Sequence, residues 1–414
     1  MHCIEVKVCE MKAQKVNPVL EEPIPPNEKE SADKPDAAQL KLWPSLEEPQ
    51  SASEETPQSK DDFEKSETEF FGETLLALAS IKGLGFRTLN KIAALLGNHL
   101  EKIWECSADE LLSKLETPKA SSPEKLLAQI ASEREKLLLQ GRERLKQLFD
   151  QNIKIIPAWK LPPSLQEISD APHWLFVQGD HRLLYYKPAV AVVGTRKPTP
   201  NGIQAAAAIA RHMAAYPINL VSGLAEGIDE TAHRHSLNSD TKNIAFLGHG
   251  IDVVFPASTQ WLRTKIIENG GAIVSEYLPG ESYRKEYFVA RNRLQAAISD
   301  LIIPVEGNPK GGTAHTVRFA KQYGRPLMGV RWNGVNGILP ELEKEGAPIV
   351  DIFTKSGKVL FDQAIRRLSE QFGNSTYALS AARRKLFDEM TQRDVRDSDI
   401  ERLIEELQKY RHGE

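Results

Sequence analysis

The chain is short of cysteine, of long apolar runs and of the common catalytic signatures. Its 414 residues include three cysteines, Cys3, Cys9 and Cys106, with no Cys-x-x-Cys pair. An odd, scattered set gives no disulfide framework and points to a reducing compartment. No stretch approaches eighteen apolar residues, which argues against a membrane-spanning helix. The N-terminus lacks a basic segment followed by an apolar one, so a cytoplasmic protein is expected. No G-x-x-x-x-G-K-[ST] occurs, so a P-loop motor is not expected, and no G-x-G-x-x-G follows a strand. His233, His235, His249 and His315 stand at no metal-ligand spacing with Cys or carboxylates, and Ser222 and Ser275 lack a nucleophile-elbow context. Glu276 and Glu306 each follow a strand, with no partner evident. No metal, no cofactor and no enzymatic reaction are therefore expected.

What is present divides unevenly. Residues 1–72 hold 8 Lys and Arg against 17 Asp and Glu, a balance of −9, while the other 342 hold 45 against 40, a balance of +5. Pro, Glu, Ser and Lys dominate 1–72, which reads as a disordered acidic tail, since such composition cannot offset ordering entropy. The apolar LKLWPSL (40–46) interrupts it, either as a greasy patch or as a short docking motif. Residues 73–150 read as a small helical domain. Within it IKGLGFRTLNKIAALLG places a Gly83–Leu84–Gly85 hairpin between two helices, which either presents N–H groups to DNA or simply packs them; residues 124–150 read as one helix. Residues 151–350 alternate strands and helices at βαβ spacing. Residues 351–414 supply about three amphipathic helices (FDQAIRRLSEQF, ALSAARRKLFDEM and DSDIERLIEELQKY) with no clear winged-helix pattern. The expected fold class is α/β, an extended Rossmann-like parallel sheet preceded by a helix–hairpin–helix or SAM-like domain and followed by a short helical region.

The α/β part repeatedly runs an apolar strand into a glycine-rich or small polar turn: AVAVVGTRKPTPNG (189–202), INLVSGLAEGIDETAH (218–233), NIAFLGHGID (243–252), GAIVSEYLPG (271–280) and LIIPVEGNPKGGTAHTVRFA (301–320). Such turns leave backbone N–H groups free to face phosphate at the carboxyl edge of a parallel sheet. Arg196 offers a bidentate guanidinium and Lys197 a point charge. Ser222, Gly223 and Ala225 form a small-residue turn before a helix starting near Gly227, where an anion can approach the positive end of the helix dipole. Asp229 in the first turn suits that dipole, and His233 reads as a packed, hydrogen-bonded histidine. In FVARNR (288–293), Phe288 sits with Arg291, Asn292 and Arg293, and Arg284 and Lys285 lie just upstream. A ring among cations is the composition for single-stranded nucleic acid: the ring stacks a base and the cations follow the backbone.

Taken in order, GTRKP, SGLAEGIDETAH, LGHGIDVVFP, the SEY strand end, FVARNR and GGTAHTVRFAKQYGRP resemble the DNA-processing protein A (DprA/Smf) family, and the resemblance spans about 73–350. It implies a homodimeric mediator of recombination and natural transformation without turnover. Such a protein binds incoming single-stranded DNA, helps load a RecA-type recombinase and assists displacement of single-strand-binding protein. By motif position, the implied DNA pocket falls on Arg196, Ser222, Gly223, Gly227, Lys285, Phe288, Arg291 and Arg293. The rival readings are a nucleotide-binding or nucleotide-hydrolysing Rossmann protein related to phosphoribohydrolases, in which Glu306 acts on a ribose, and a defence-associated sensor whose tail recruits a partner.

Overall fold

The computed structural model of the protein describes residues 60–106, 123–332, 334 and 336–372, with the backbone alone for 60–66 and 123–127. LKLWPSL and most of the acidic tail lie outside the described residues, as do the last two of the expected C-terminal helices.

The first helix, α1 (Lys60–Ala79), begins inside the segment expected to be disordered. The boundary moves because Phe71 is fully buried and because α1 packs tightly on α4 (Arg134–Asp150). Gly141 makes that approach possible: a Cβ there would stand 2.1 Å from the carbonyl oxygen of Glu73. Arg142 closes the contact at the surface, with Nε donating to Glu73 Oε1 at 2.8 Å.

The turn after α1 holds Gly83 at φ +98°, and α2 (Phe86–Leu95) follows it. The turn sends side chains inward. Leu84 is buried, and Phe86 meets the rings of Tyr277, Tyr287 and Trp174 at centroid distances of 4.7, 6.0 and 6.1 Å. The single helix expected over 124–150 is two, α3 (Pro123–Ser132) and α4, separated at Glu133, whose φ of −108° and ψ of 12° leave the helical range.

A seven-stranded sheet follows, built from β1 (Ile153–Pro157), β2 (Trp174–Gly179), β3 (Ala189–Val193), β4 (Asn219–Ser222), β5 (Lys242–Phe246), β6 (Ala272–Ser275) and β7 (Leu301–Pro304). The strand order is β1-β2-β6-β5-β4-β3-β7. The β6–β7 span is parallel, while β1 and β2 add antiparallel at one edge, with Ile153 opposite Gln178 and Phe176 opposite Ser275. A parallel sheet is buried on both faces, and the β3 sequence AVAVV shows why no alternation is visible. Val190 and Val192 pack with Ala205, Ala206 and Ile209 of α6 (Pro200–Met213), while Ala191 and Val193 share the other face's core with Leu294 and Ala297 of α9 (Lys285–Ile298). The fold is therefore the expected Rossmann-like α/β sheet. One core cluster runs from Phe71 and Leu75 through Ile155 and Trp174 to Ile273, so helices and sheet bury apolar surface together.

The other helices are α5 (Pro163–Gln166), α7 (Ile228–Ser236), α8 (Gln260–Glu268), α10 (Gly312–Gln322), α11 (Leu339–Lys344) and α12 (Lys355–Gln371). A two-stranded parallel sheet of β8 (Gly329–Arg331) and β9 (Ile349–Asp351) lies beyond β7, linked by a bridge between Ile302 and Leu327. The strands β3, β4, β5 and β6 step consecutively in one direction, and β7 returns to the other side of β3. That reversal opens a crevice at the strands' carboxyl ends, the usual ligand position of such sheets.

Candidate nucleic-acid interface

Two different regions form at that edge. The crevice between β3 and β7 is filled by Glu306. Its carboxylate accepts from Thr199 N (3.0 Å) and from the Thr199 hydroxyl (3.2 Å), and its backbone oxygen accepts from Thr195 N (2.8 Å). Gly202 makes room for it, since a Cβ there would stand 1.8 Å from Oε2. Glu306 thus caps the start of α6.

The second region is a small concavity over the ends of β3, β4 and β5, walled by Arg196, Gly223, Gly248, His249, Phe255 and Phe288. The fold brings Arg196, on the β3–α6 loop, onto Phe288 of α9, with the guanidinium carbon 4.5 Å from the ring centroid. Gly248 permits the ring to sit there: a Cβ at that position would come within 2.7 Å of Phe288 Cδ1. Phe255 and Tyr283 complete an aromatic cluster, stacked on each other at 3.7 Å with Phe255 5.6 Å from Phe288. Both were missed in the sequence. Phe255 lay in the quoted LGHGIDVVFP and Tyr283 beside Arg284, but nothing local showed that their loops meet. His249 forms the floor, with Nδ1 and Nε2 each 3.0 Å from a backbone carbonyl oxygen, of Gly250 and Phe255; burial holds its pKa below the ordinary value.

The expected site residues separate by exposure. Arg196, Lys197 and Lys285 are exposed, and Phe288 is half-buried. Ser222, Gly223, Arg291, Asn292 and Arg293 are buried, and their polar groups are engaged internally. The Ser222 hydroxyl donates to Val192 O at 2.6 Å. The Gly223 N–H, expected to meet a phosphate, donates to Asp229 Oδ2 at 3.1 Å. The anion at this turn is the protein's own carboxylate, which burial pushes above the usual pKa range while Arg291 and the N–H groups of Ala225 and Gly223 oppose the shift. Arg291 donates to Phe246 O, and its Nε donates to Asn292 Oδ1 at 3.2 Å. Desolvation brings its pKa down to about 10, against the attraction of Asp229 and with the repulsion of Arg196. Asn292 also donates from Nδ2 to Gly312 O (3.3 Å). Arg293 reaches the other side of the sheet edge and forms a buried pair with Glu276, Nη2 to Oε2 2.6 Å, with Asp170 at 3.3 Å. Burial works against its charge, but Glu276 and Asp170 more than offset it and hold the pKa high. Glu276, without a visible partner in the sequence, is thus the counter-ion of Arg293. Gly227 is the residue before α7, at φ +88°, lying against Thr195 O, where a Cβ would be 2.6 Å away. His233 is packed as expected, with Nδ1 2.7 Å from Asn243 Oδ1.

Arg293 and Asp229 therefore serve the fold rather than the open rim. Outside the concavity, one group of metal-type donors occurs among the described residues, Glu67, His99 and Glu101, in which His99 Nδ1 pairs with Glu101 Oε1 at 2.7 Å. No helix among the described residues is long and apolar enough to cross a membrane.

The model of the DNA recombination-mediator protein A family matches residues 153–348. The DNA processing protein DprA of Streptococcus pneumoniae is 35% identical over 192 residues, which cover 46% of this chain and 67% of that protein. The chain belongs to the DprA/Smf family. Protein Smf of Synechocystis is 35% identical over 170 residues, 40% of this chain and 42% of that one, so the chain spans two thirds of the first relative and under half of the second. Among solved structures, that of DprA from Streptococcus pneumoniae is 26% identical, covers 68% of this chain and 94% of its own, and gives a TM-score of 0.51. A structure of the Helicobacter pylori DNA processing protein A, solved for its single-stranded DNA binding mode, is 30% identical over 53% of this chain and 96% of its own, with a TM-score of 0.47. The alternating antiparallel edge and parallel centre of the sheet, with its glycine turns on one rim, are this DprA/Smf chain's version of the fold.

Proposed function

We propose that the chain binds single-stranded DNA at the β3–β4–β5 rim and acts as a recombination mediator without turnover. The observation that supports this most directly is the placement of Arg196 on Phe288, which joins a phosphate-pairing cation and a base-stacking ring from residues far apart in sequence. Such a pair is the working unit of sequence-tolerant strand binding: the ring takes a base face, and the guanidinium follows the sugar–phosphate chain. Lys197, next to Arg196 in the chain, and Lys285, three residues before Phe288, are exposed point charges. Arg291 is buried, with Nε and Nη1 bonded to Asn292 Oδ1 and Phe246 O, and contributes its field.

Three exposed cations set the expected salt response. Neutralising three phosphates of a single strand gives a slope of log affinity against log salt of about −2. A fluorescence-anisotropy titration of a labelled oligonucleotide across salt tests this; a slope near zero would sink the reading. The Glu306 carboxylate, which a nucleotide-hydrolysing alternative would turn on a ribose, is bonded to Thr199 instead, and incubation with nucleoside monophosphates should release no base.

Family membership supports extending the reading to assembly as a homodimer and to hand-over of the strand to a RecA-type recombinase with displacement of single-strand-binding protein. The check is strand exchange on strands precoated with that protein: addition of the chain should restore recombinase loading, and no restoration would leave strand binding alone.

A further inference from the structure

We propose that Tyr283, stacked on Phe255, is a second base platform beside Phe288, so that the site takes two neighbouring nucleobases of one strand. This rests on the strand-binding reading above and specifies its ligand as at least a dinucleotide unit.

The argument starts from exposure. Tyr283 is 50% exposed although its ring lies 3.7 Å from Phe255, with the planes 22° apart. Phe255 covers one side of it, and half of the residue stays open to solvent. The Phe288 centroid is 6.3 Å away, its plane tilted by 35°, so the two rings sit side by side rather than one upon the other. One base cannot lie flat on both, whereas two successive bases can each take one. An unstacked single strand has such faces to offer, and a duplex keeps them stacked internally.

The exposed ring is also held in place. Tyr283 and Phe255 belong to different loops, one following β6 and one following β5. Two hydrogen bonds tie those loops together: Gly250 N to Glu281 O at 2.8 Å, and Gly280 N to Asp252 Oδ1 at 2.6 Å. Glu281 in turn accepts from the Tyr287 hydroxyl at 2.9 Å and pairs with Arg284 at 3.4 Å. A ring fixed before binding costs little ordering entropy when a base arrives. Arg284 and Lys285 follow Tyr283 directly in the chain, which places cations next to the second platform as Arg196 and Lys197 are next to the first.

The test compares an intact oligothymidylate with an abasic oligonucleotide of equal length, by fluorescence anisotropy, on the full chain. Tyr283→Ala should weaken binding of the intact strand about 5- to 150-fold and leave the abasic strand unchanged, and Tyr283→Phe should restore it. Combining Tyr283→Ala with Phe288→Ala should multiply the two single losses. Equal loss on intact and abasic strands would show that Tyr283 only supports its loop, and would overturn the proposal. A double variant no weaker than the worse single would mean one shared base, and would overturn it too. A parent chain that binds neither strand would remove the strand-binding reading itself.

Discussion

Arg291 occupies the space that a side chain at position 223 would need. A Cβ built on Gly223 would stand 2.1 Å from its Nη1 and 2.5 Å from its Cζ. The turn after β4 is therefore closed over a buried guanidinium, which the buried Asp229 carboxyl in the first turn of α7 attracts. A feature that looks from the sequence like a phosphate cradle holds the protein's own Asp229 carboxyl on the Gly223 N–H, with a buried guanidinium beneath the glycine.

Gly223→Ala should destabilise the fold by about 1–3 kcal/mol, the usual cost of overpacking. The guanidinium cannot simply retreat, because it is bonded to Phe246 O and Asn292. Urea midpoints measure it; a change under about 0.5 kcal/mol, the size of an ordinary surface substitution, would refute the close approach.

Asp229→Ala should cost about 1–3 kcal/mol, because it leaves the buried Gly223 N–H without its acceptor and removes the attraction on Arg291. The double variant with Arg291→Met should lose much less than the sum of the two single losses. Additive losses in the denaturant series would show that the two residues do not act as a pair.

Exposed and buried arginines should separate cleanly. Arg196→Ala should weaken strand binding and make the salt slope shallower by about 0.7, with stability nearly unchanged. Arg293→Ala should instead leave Glu276 buried without its partner and lower stability by about 3–5 kcal/mol. Thermal melts and salt titrations on the two variants decide this; an Arg196→Ala chain that binds with the parent slope would displace the site.

His233 should make stability fall in mild acid. Burial lowers its pKa to about 4, Asn243 opposing the shift and Arg291 adding to it. Its Nε2 is buried without a hydrogen-bond partner in the structure, so a proton there has no acceptor. The unfolded chain takes up that proton below about pH 6.5 and the native chain does not until about 4. The stabilisation is thus full above pH 6.5 and is lost progressively as the pH drops towards 4, by about 3 kcal/mol for this group. His233→Gln should flatten urea stability across that window. An unchanged pH profile would argue that His233 is protonated in the native state.

Strand and helix positions were legible because their causes are local. AVAVV, NLVS and LIIP are short β-branched or apolar runs ended by turn residues; the helix after the first starts at Pro200 under the Thr199 cap, and those after the other two start at Ile228 and Gly312, each preceded by a glycine. The start of α1 was misplaced because an acidic first turn reads as tail until Phe71 and Gly141 are seen to pack.

Which charges face solvent was beyond the reach of sequence. Arg291, Asn292 and Arg293 are consecutive on one helix, and a local reading gives them all to the ligand. Successive helical residues point about a hundred degrees apart, so Arg291 turns under the β4 turn while Arg293 turns to Glu276. The amino-acid order by itself set the alternating strands and helices, the glycines that let chains touch, and the supply of cations and rings. The tertiary structure alone decided that Glu276 would neutralise one of those cations, that Asp229 would take the Gly223 N–H, and that Arg196, Phe288, Phe255 and Tyr283 would meet on one rim. The reason is that burial and partner choice depend on residues tens of positions apart, brought within a few ångströms only by the folded sheet.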